Sequence, residues 1–461
     1  MTHAVILATP GFYSHDEWQK FDHIQLHGFW DFARAYGSIR TGPEFGYPVR
    51  PIGFMQQGIA ALWMQSAPPV SHLFGDANHA LVALTFVWEL RRAGIAGATA
   101  ALAGALFVLS PLTTMATGWL AASFDQLYVL FLLVAAAAIV RLPDEGMSWP
   151  RAAWLLLATA AALLAKETAI VAPAVVLLLG YMVKSAHPDG FSWRPYGVAF
   201  GIALLPVLAY LHYRAPAIAA SIAGHSTAEY KPDLRNAPAN AWHFFAFPFR
   251  IKLMEMSAAV FRSPWQPLAA SAVHLLLVSA VYRLFGRRFA FAYVAAYFVF
   301  LVPVLTLPNP GAHYLYGSAL AMSLAIAAIL ARLAASRRSG AVVLVLAGAG
   351  ALFAHDLVIQ RQLYDNGQCQ AAFLMSVDTL LAQKAPGTPG MIVVAPDASA
   401  PLSVAIRAVS ARDAYTANGR PIITFESPDR RETAPPDNGA MRVRMTAACA
   451  LRPEPATALP E

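Results

Sequence analysis

Charge is what this chain has least of. Only 13% of its 461 residues are Asp, Glu, Lys or Arg, about half the share usual in a soluble domain. Hydrophobic residues make up 57%, and the mean hydropathy is +0.50. Such a balance excludes a water-soluble globule and points to an integral membrane protein. No basic run interleaved with aromatics occurs, which argues against nucleic acid as a partner. The formal net charge of +7 is then a bias of the loops that sets orientation. Cysteine is scarce too. Cys369 and Cys449 lack metal-ligand spacing and both fall in the polar C-terminal part, where a single disulfide between them is open. No internal repeat is visible. The N-terminus has no basic region ahead of AVILA (residues 4–8), so it does not read as a secretory signal. AVILA is too short to span and looks like the tail of a cut-off helix or a mis-set start.

Long apolar runs, by contrast, are plentiful. Runs of about 17–25 residues mark membrane-spanning helices, and roughly ten are found, near 73–90, 95–112, 122–140, 151–165, 168–183, 196–212, 266–283, 289–307, 314–332 and 340–357. The fifth follows the fourth after only Lys166-Glu167. A tight helical hairpin is expected there, because one continuous span would bury that charged pair in lipid at several kcal/mol. The piece at 52–66, PIGFMQQGIAALWMQ, is short and carries glutamines, which suits an interfacial helix.

Basic residues concentrate in alternate short connections: Arg91-Arg92, Arg141 with Arg151, Lys184 with Arg194, Arg283 with Arg287-Arg288, and Arg332 with Arg337-Arg338; the opposite short turns hold only Lys166. The basic set is cytoplasmic by the positive-inside rule. The outer, periplasmic face then receives residues 1–72, the turn at 112–122, Lys166-Glu167, the long loop 213–265, the turn NPGAHYLYG and the C-terminus. Three parts are expected: a first outer loop with interfacial helices (1–72), a transmembrane domain (73–358) and a small module (359–461). In the last part MIVVAP and PIITFES read as short strands, and PLSVAIRAVSAR between them as an amphipathic helix. The fold class is thus an all-α polytopic membrane protein of about ten transmembrane helices with a small C-terminal α/β extramembrane module.

Candidate chemistry sits on the outer face. In GFYSHDEWQKFDH (11–23), Asp16 and Glu17 are adjacent, so on a helix they diverge by about 100° and one acts while the other braces it. The plain alternative is a solvated loop. Glu167 at a helix start gains from the helix dipole, and Lys166 either snorkels or holds a phosphate at the membrane surface. His313, Tyr314 and Tyr316 stand at the outer end of a span, as an aromatic belt would. Asp125, near the outer end of its helix, needs a buried partner or a water-filled cleft. All of these fall on one face by an orientation derived independently of them.

The order of motifs is a further signal. An acidic DE in the first outer loop is followed by YPVRPIG, HLFGDANHALVAL, LSPLTTMATGWLAASFDQL, LLAKETAIVAP and HYLYGSALAMSLA. Over roughly residues 10–335 this order resembles the GT-C class of integral-membrane glycosyltransferases, which includes protein O-mannosyltransferases and the lipid A aminoarabinose transferase. The resemblance implies a polyprenyl-phosphate-linked sugar as donor, a lipid, glycan or protein hydroxyl as acceptor, and a loop acid that serves as base or, in some members, binds a divalent metal. Carried over, Asp16 and Glu17 match the acidic pair and Arg50 the arginine of the YPVRP segment. Lys166 and Glu167 match the lysine–glutamate hairpin, while Tyr314 and Tyr316 frame the late motif. His313 stands where many relatives have arginine, so Arg250, Lys252 or Arg262 are substitutes for that cation. The expected set is Asp16 and Glu17 as catalytic, Arg50, Lys166, His313 and Tyr316 on the donor phosphate, and Asp125, Glu167 and Tyr314 in support. No metal ligands are nominated. The expected function is transfer of the sugar on the periplasmic face of the inner membrane, with inversion and Asp16 as base. The competing class is a polytopic transporter or flippase for a lipid-linked or anionic substrate; a third is a scaffold whose outer tail binds partners.

Overall fold

The computed structural model describes residues 3–37, 49–186, 191–220, 232–250, 265–336, 339–383, 391–410, 412–417, 420–426 and 441–453. A short helix α1 (Ala4–Leu7) precedes the outer-loop helices α2 (His15–His27), α3 (Phe29–Gly37) and α4 (Pro51–Ala61). Long helices follow: α5 (Pro68–Arg92), α6 (Gly97–Val108), α7 (Pro111–Gly118) and α8 (Ser123–Ala136). After the single turn α9 (Leu142–Glu145) come α10 (Trp149–Ala165), α11 (Ala172–Ala186) and α12 (Arg194–Ala220). Then come α13 (Asn236–Ala246), α14 (Trp265–Phe285), α15 (Arg287–Val299), α16 (Tyr316–Ala335) and α17 (Ser339–Ala382), with α18 (Leu402–Val409) in the C-terminal module. Each expected span falls on a helix. By length and composition, five helices of the described residues suffice to cross a membrane, and six do if the bent pair α6–α7 counts as one span.

Prolines and small residues decide where these helices start and break. Pro51, Pro68 and Pro111 sit in first turns, where a missing N–H goes unmissed and the ring presets φ. Pro111 also ends α6, since the residue before a proline avoids the helical region. The chain bends by 56° between α6 and α7, and Ser110 restarts the helix by accepting a hydrogen bond from the Leu112 N–H at 3.3 Å. The segment 112–122, expected as an outer turn, is therefore mostly helix: every residue of α7 is buried. Likewise α12 runs to Ala220, into the expected long loop. Beyond that loop's undescribed part, Asn240 Nδ2 donates to the Leu305 and Leu307 carbonyls, both at 2.8 Å.

At Lys166 the backbone is extended (φ −160°, ψ 137°) between α10 and a 3-10 turn at Glu167–Val171. The helices on either side of this break both pack on α12. The α5, α6, α8 and α16 helices form the centre of the bundle, around Val82, Phe107, Tyr128 and Tyr316.

Composition shifts near residue 359, yet α17 runs straight through that point as one helix of 44 residues, about 66 Å long. That is roughly twice the hydrocarbon thickness of a bilayer, so its polar second half stands clear of the membrane. On it rests a four-stranded sheet, ordered β4–β1–β5–β6, from β1 (Ile392–Pro396), β4 (Ile423–Phe425), β5 (Met441–Met445) and β6 (Leu451–Pro453), while β2 (Thr416–Ala417) and β3 (Arg420–Pro421) make a separate ladder. β1 runs parallel to both β4 and β5, with Val393 opposite Thr424 and Arg442. Both expected strands and the expected helix are present. Val404, Ala405, Ala408 and Val409 give α18 its buried stripe.

Candidate active site

Helix α2 opens with a capping box: Ser14 is the N-cap and Glu17 reaches back to its N–H, satisfying donors that a helix start leaves orphaned. Glu17 does more. Its Oε2 accepts from the backbone N–H of Tyr13 (2.9 Å) and Ser14 (2.8 Å), and its Oε1 from that of Leu120 (2.8 Å). The buried carboxyl thereby bolts α2 to the segment between α7 and α8. Burial pushes it up to about 8, against the pull of those N–H donors. Asp16, half-buried, points elsewhere on the helix, and Lys20 follows it by one turn. The Lys20 ammonium lies over the rings of Tyr36 (4.5 Å) and Phe54 (5.3 Å). Burial brings it down to about 8, with Asp16 opposing and Arg50 adding to that fall.

Arg50 is the N-cap residue of α4. The helix approaches Phe124 so closely that any side chain at Gly53 would collide with its ring, and this approach sets the Arg50 guanidinium 5.1 Å from the same ring. Arg50 Nε donates to Glu167 Oε2 at 2.6 Å, and Nη2 donates to Oε1, a two-pronged pair. Burial alone would disfavour the guanidinium's charge, but Glu167 outweighs it and holds Arg50 protonated. Because the chain is extended at Lys166, the neighbouring side chains find different partners. Lys166 Nζ donates to Asp125 Oδ2 at 2.6 Å and lies 4.7 Å from the Tyr314 ring centroid. This supplies the buried partner that Asp125 required.

The late turn contributes aromatics. The His313 ring meets Trp119 edge-on at 5.0 Å and contacts Tyr314 at 4.0 Å. Tyr316 is fully buried, and its hydroxyl pairs with His79 Nδ1 at 2.9 Å; its polar atom is engaged with α5. Arg250, one suggested substitute cation, sits beside His243 and His355. Lys252 and Arg262 lie outside the described residues.

The structure thus gathers Arg50, Lys166, Glu167, Asp125 and Tyr314 around two ion pairs within electrostatic reach of each other. Asp16 is connected to Arg50 through Lys20, which feels both charges. It assigns Glu17 to backbone amides and Tyr316 to a histidine. Sequence reasoning passed over Lys20, although it stands four residues after Asp16 in a helical stretch and so shares its face. Among the described residues, no three His, Cys, Asp or Glu side chains come together as a metal site would need. A shallow, open apolar groove runs along α4, lined by Pro51, Ile52, Met55, Gln56, Ile59 and Phe74. It begins at the residue next to Arg50.

Neither a known protein family nor a curated protein matches this sequence. Among solved structures, the chain is similar to ArnT from Cupriavidus metallidurans, crystallised bound to undecaprenyl phosphate, at 13% sequence identity and a TM-score of 0.48, over 85% of this chain and 81% of that one.

Proposed function

We propose that this chain is an integral-membrane glycosyltransferase of the GT-C type that moves a sugar from a polyprenyl-phosphate donor to a hydroxyl acceptor on the outer face of the inner membrane. One observation carries the reading: Arg50 and Lys166, each paired with a carboxylate and within electrostatic reach of one another, gather where an open apolar groove along α4 begins, and Lys20 of α2 senses both Asp16 and Arg50. A polyprenyl phosphate has the matching shape, with an anionic head for the cations and a hydrocarbon tail for the groove along α4.

In the reaction, Asp16 takes the proton of the acceptor hydroxyl as its oxygen attacks the anomeric carbon. The bond from that carbon to the phosphate oxygen breaks and the electron pair leaves with the lipid phosphate. Arg50 offers a two-pronged donor to the charge that develops there, and Lys166 and Lys20 offer point charges. The leaving group needs no proton from an acid. With one carboxylate as base and direct displacement, configuration inverts; Glu17, held by three amides, is not placed as a second nucleophile. Trp119, His313 and Tyr314 wall the site, and Tyr314 covers the Lys166 ammonium.

Membranes from a deletion strain, profiled by mass spectrometry for lipids, surface glycans and glycoproteins, should lack one sugar. Restoring the gene should return it, and Asp16→Asn should not. A complete profile in the deletion strain, or full rescue by Asp16→Asn, defeats the proposal.

A further inference from the structure

The C-terminal module packs on α17 and also grips α2. Arg412 Nε donates to Asp22 Oδ2 at 2.9 Å and Nη2 to Oδ1 at 2.7 Å, and both residues are buried. The same guanidinium lies 4.6 Å from the ring of Trp18 and 4.6 Å from that of Tyr415. Arg407 of α18 covers the Tyr13 ring at 4.9 Å. From the polar half of α17, Gln370 Oε1 accepts from the Phe12 N–H (2.7 Å) and from Trp18 Nε1 (3.0 Å). A disulfide between Cys369 and Cys449 ties α17 to the end of the module. Trp18 and Phe21 of α2 share one apolar core with Ile392, Val394 and Val443 of the sheet.

Helical geometry shows what this grip does. Asp22 stands six residues beyond Asp16, about 120° round the helix, whereas Lys20 lies only about 40° from Asp16. One side of α2 is held by the module, and another carries Asp16 and Lys20 toward Arg50. We propose that the C-terminal module is the clamp that fixes where Asp16 stands, and that Arg412, acting through Asp22, is its positioning residue. A buried fork-to-fork pair defines direction as well as distance, and lysine cannot reproduce it. Together with the Leu120–Glu17 bond on the membrane side, the clamp holds α2 at two points. The catalytic part of this inference rests on Asp16 being the base; the mechanical part does not.

The experiment uses the full-length protein in lipid nanodiscs, with Arg412→Lys, Asp22→Asn and Cys449→Ser. Hydrogen–deuterium exchange reads α2 directly, and binding of undecaprenyl phosphate reads the phosphate site. Initial rates are then measured on the acceptor identified from the deletion strain. Each variant should exchange faster across residues 15–27 and bind undecaprenyl phosphate as the wild type does. Each should also lose about tenfold to a hundredfold in kcat, the effect of misplacing a reacting group by about 1 Å, with KM for the donor little changed. Arg412→Lys with Cys449→Ser should be no worse than the poorer single variant, since both release one element. Unchanged exchange at 15–27 in Arg412→Lys overturns the clamp whatever the protein's reaction. Faster exchange with wild-type kcat overturns its positioning role. If the wild type transfers no sugar, the proposed function falls, and the exchange result still decides whether the module holds α2.

Discussion

Lys166 Nζ lies 2.6 Å from Asp125 Oδ2, with side-chain exposures of 4% and 1%. The two residues are 41 positions apart, Asp125 in the first turn of α8 and Lys166 in the extended break after α10, and the ammonium satisfies one of the two carboxylate oxygens. A charge buried this deeply persists only where a partner and hydrogen bonds replace its hydration.

Breaking that pair from one side should be worse than removing it whole. Lys166→Met or Asp125→Leu alone leaves a stranded buried charge and should cost about 3–5 kcal/mol, whereas the double variant should recover most of that loss. Thermal unfolding of the four proteins in detergent checks it, and an additive double variant would contradict it. The double variant should still be poorly active, because Lys166 is assigned to the donor phosphate.

Arg50→Lys keeps the charge but not the fork. Loss of the two-pronged contact should lower kcat/KM for the polyprenyl-phosphate donor by about tenfold to a hundredfold. Direct binding of undecaprenyl phosphate should weaken in parallel. A variant that binds and turns over as the wild type does would remove Arg50 from the site.

Glu17→Ala should act first on stability. Three backbone amides, those of Tyr13, Ser14 and Leu120, lose their acceptor, and each buried orphan donor costs about 1–3 kcal/mol. A loss of at least about 3 kcal/mol is expected by thermal unfolding, with faster hydrogen exchange at the start of α2. A variant as stable as the wild type would show that these bonds do not hold α2 in place.

Lys20 should give stability a distinct pH dependence. Its ammonium loses its proton near pH 8 when folded, chiefly through burial, against an ordinary value of 10.5. Between those two values the unfolded chain binds the extra proton, so stability rises with pH across that window, by up to about 3 kcal/mol. Below about pH 8 the lysine is charged in both states and its contribution is flat. Comparing Lys20→Met with the wild type from pH 7 to 10 isolates the effect: the difference should shift toward the wild type above pH 8, and a constant difference would contradict it.

Much of the architecture is legible along the chain. Apolar runs long enough to cross a membrane announce themselves locally, as do the prolines at Pro51, Pro68 and Pro111 that start helices. The strands in MIVVAP and PIITFES and the stripe of α18 follow from spacing alone. Nothing local, however, shows that α17 continues past residue 359, because a helix entering water keeps its backbone bonds while its composition changes. The burial of 112–122 depends on a bend whose angle no motif encodes. For the site, the residue types were readable and the pairings were not. Asp125 demanded a partner, but choosing Lys166 over Arg50 required the extended backbone at Lys166 that sends two adjacent side chains different ways.

By itself the sequence determined that this protein lives in a membrane, roughly where its helices run, and which polar residues are too costly to bury alone. Those properties follow from hydropathy and backbone geometry, which act over a few neighbouring residues. Only the tertiary structure decided that Glu17 is an anchor, that Lys20 joins Asp16 and Arg50, and that Arg412 reaches back 390 residues to Asp22. Such contacts join distant segments through packing, and their free energy exists only once the whole bundle has closed around them.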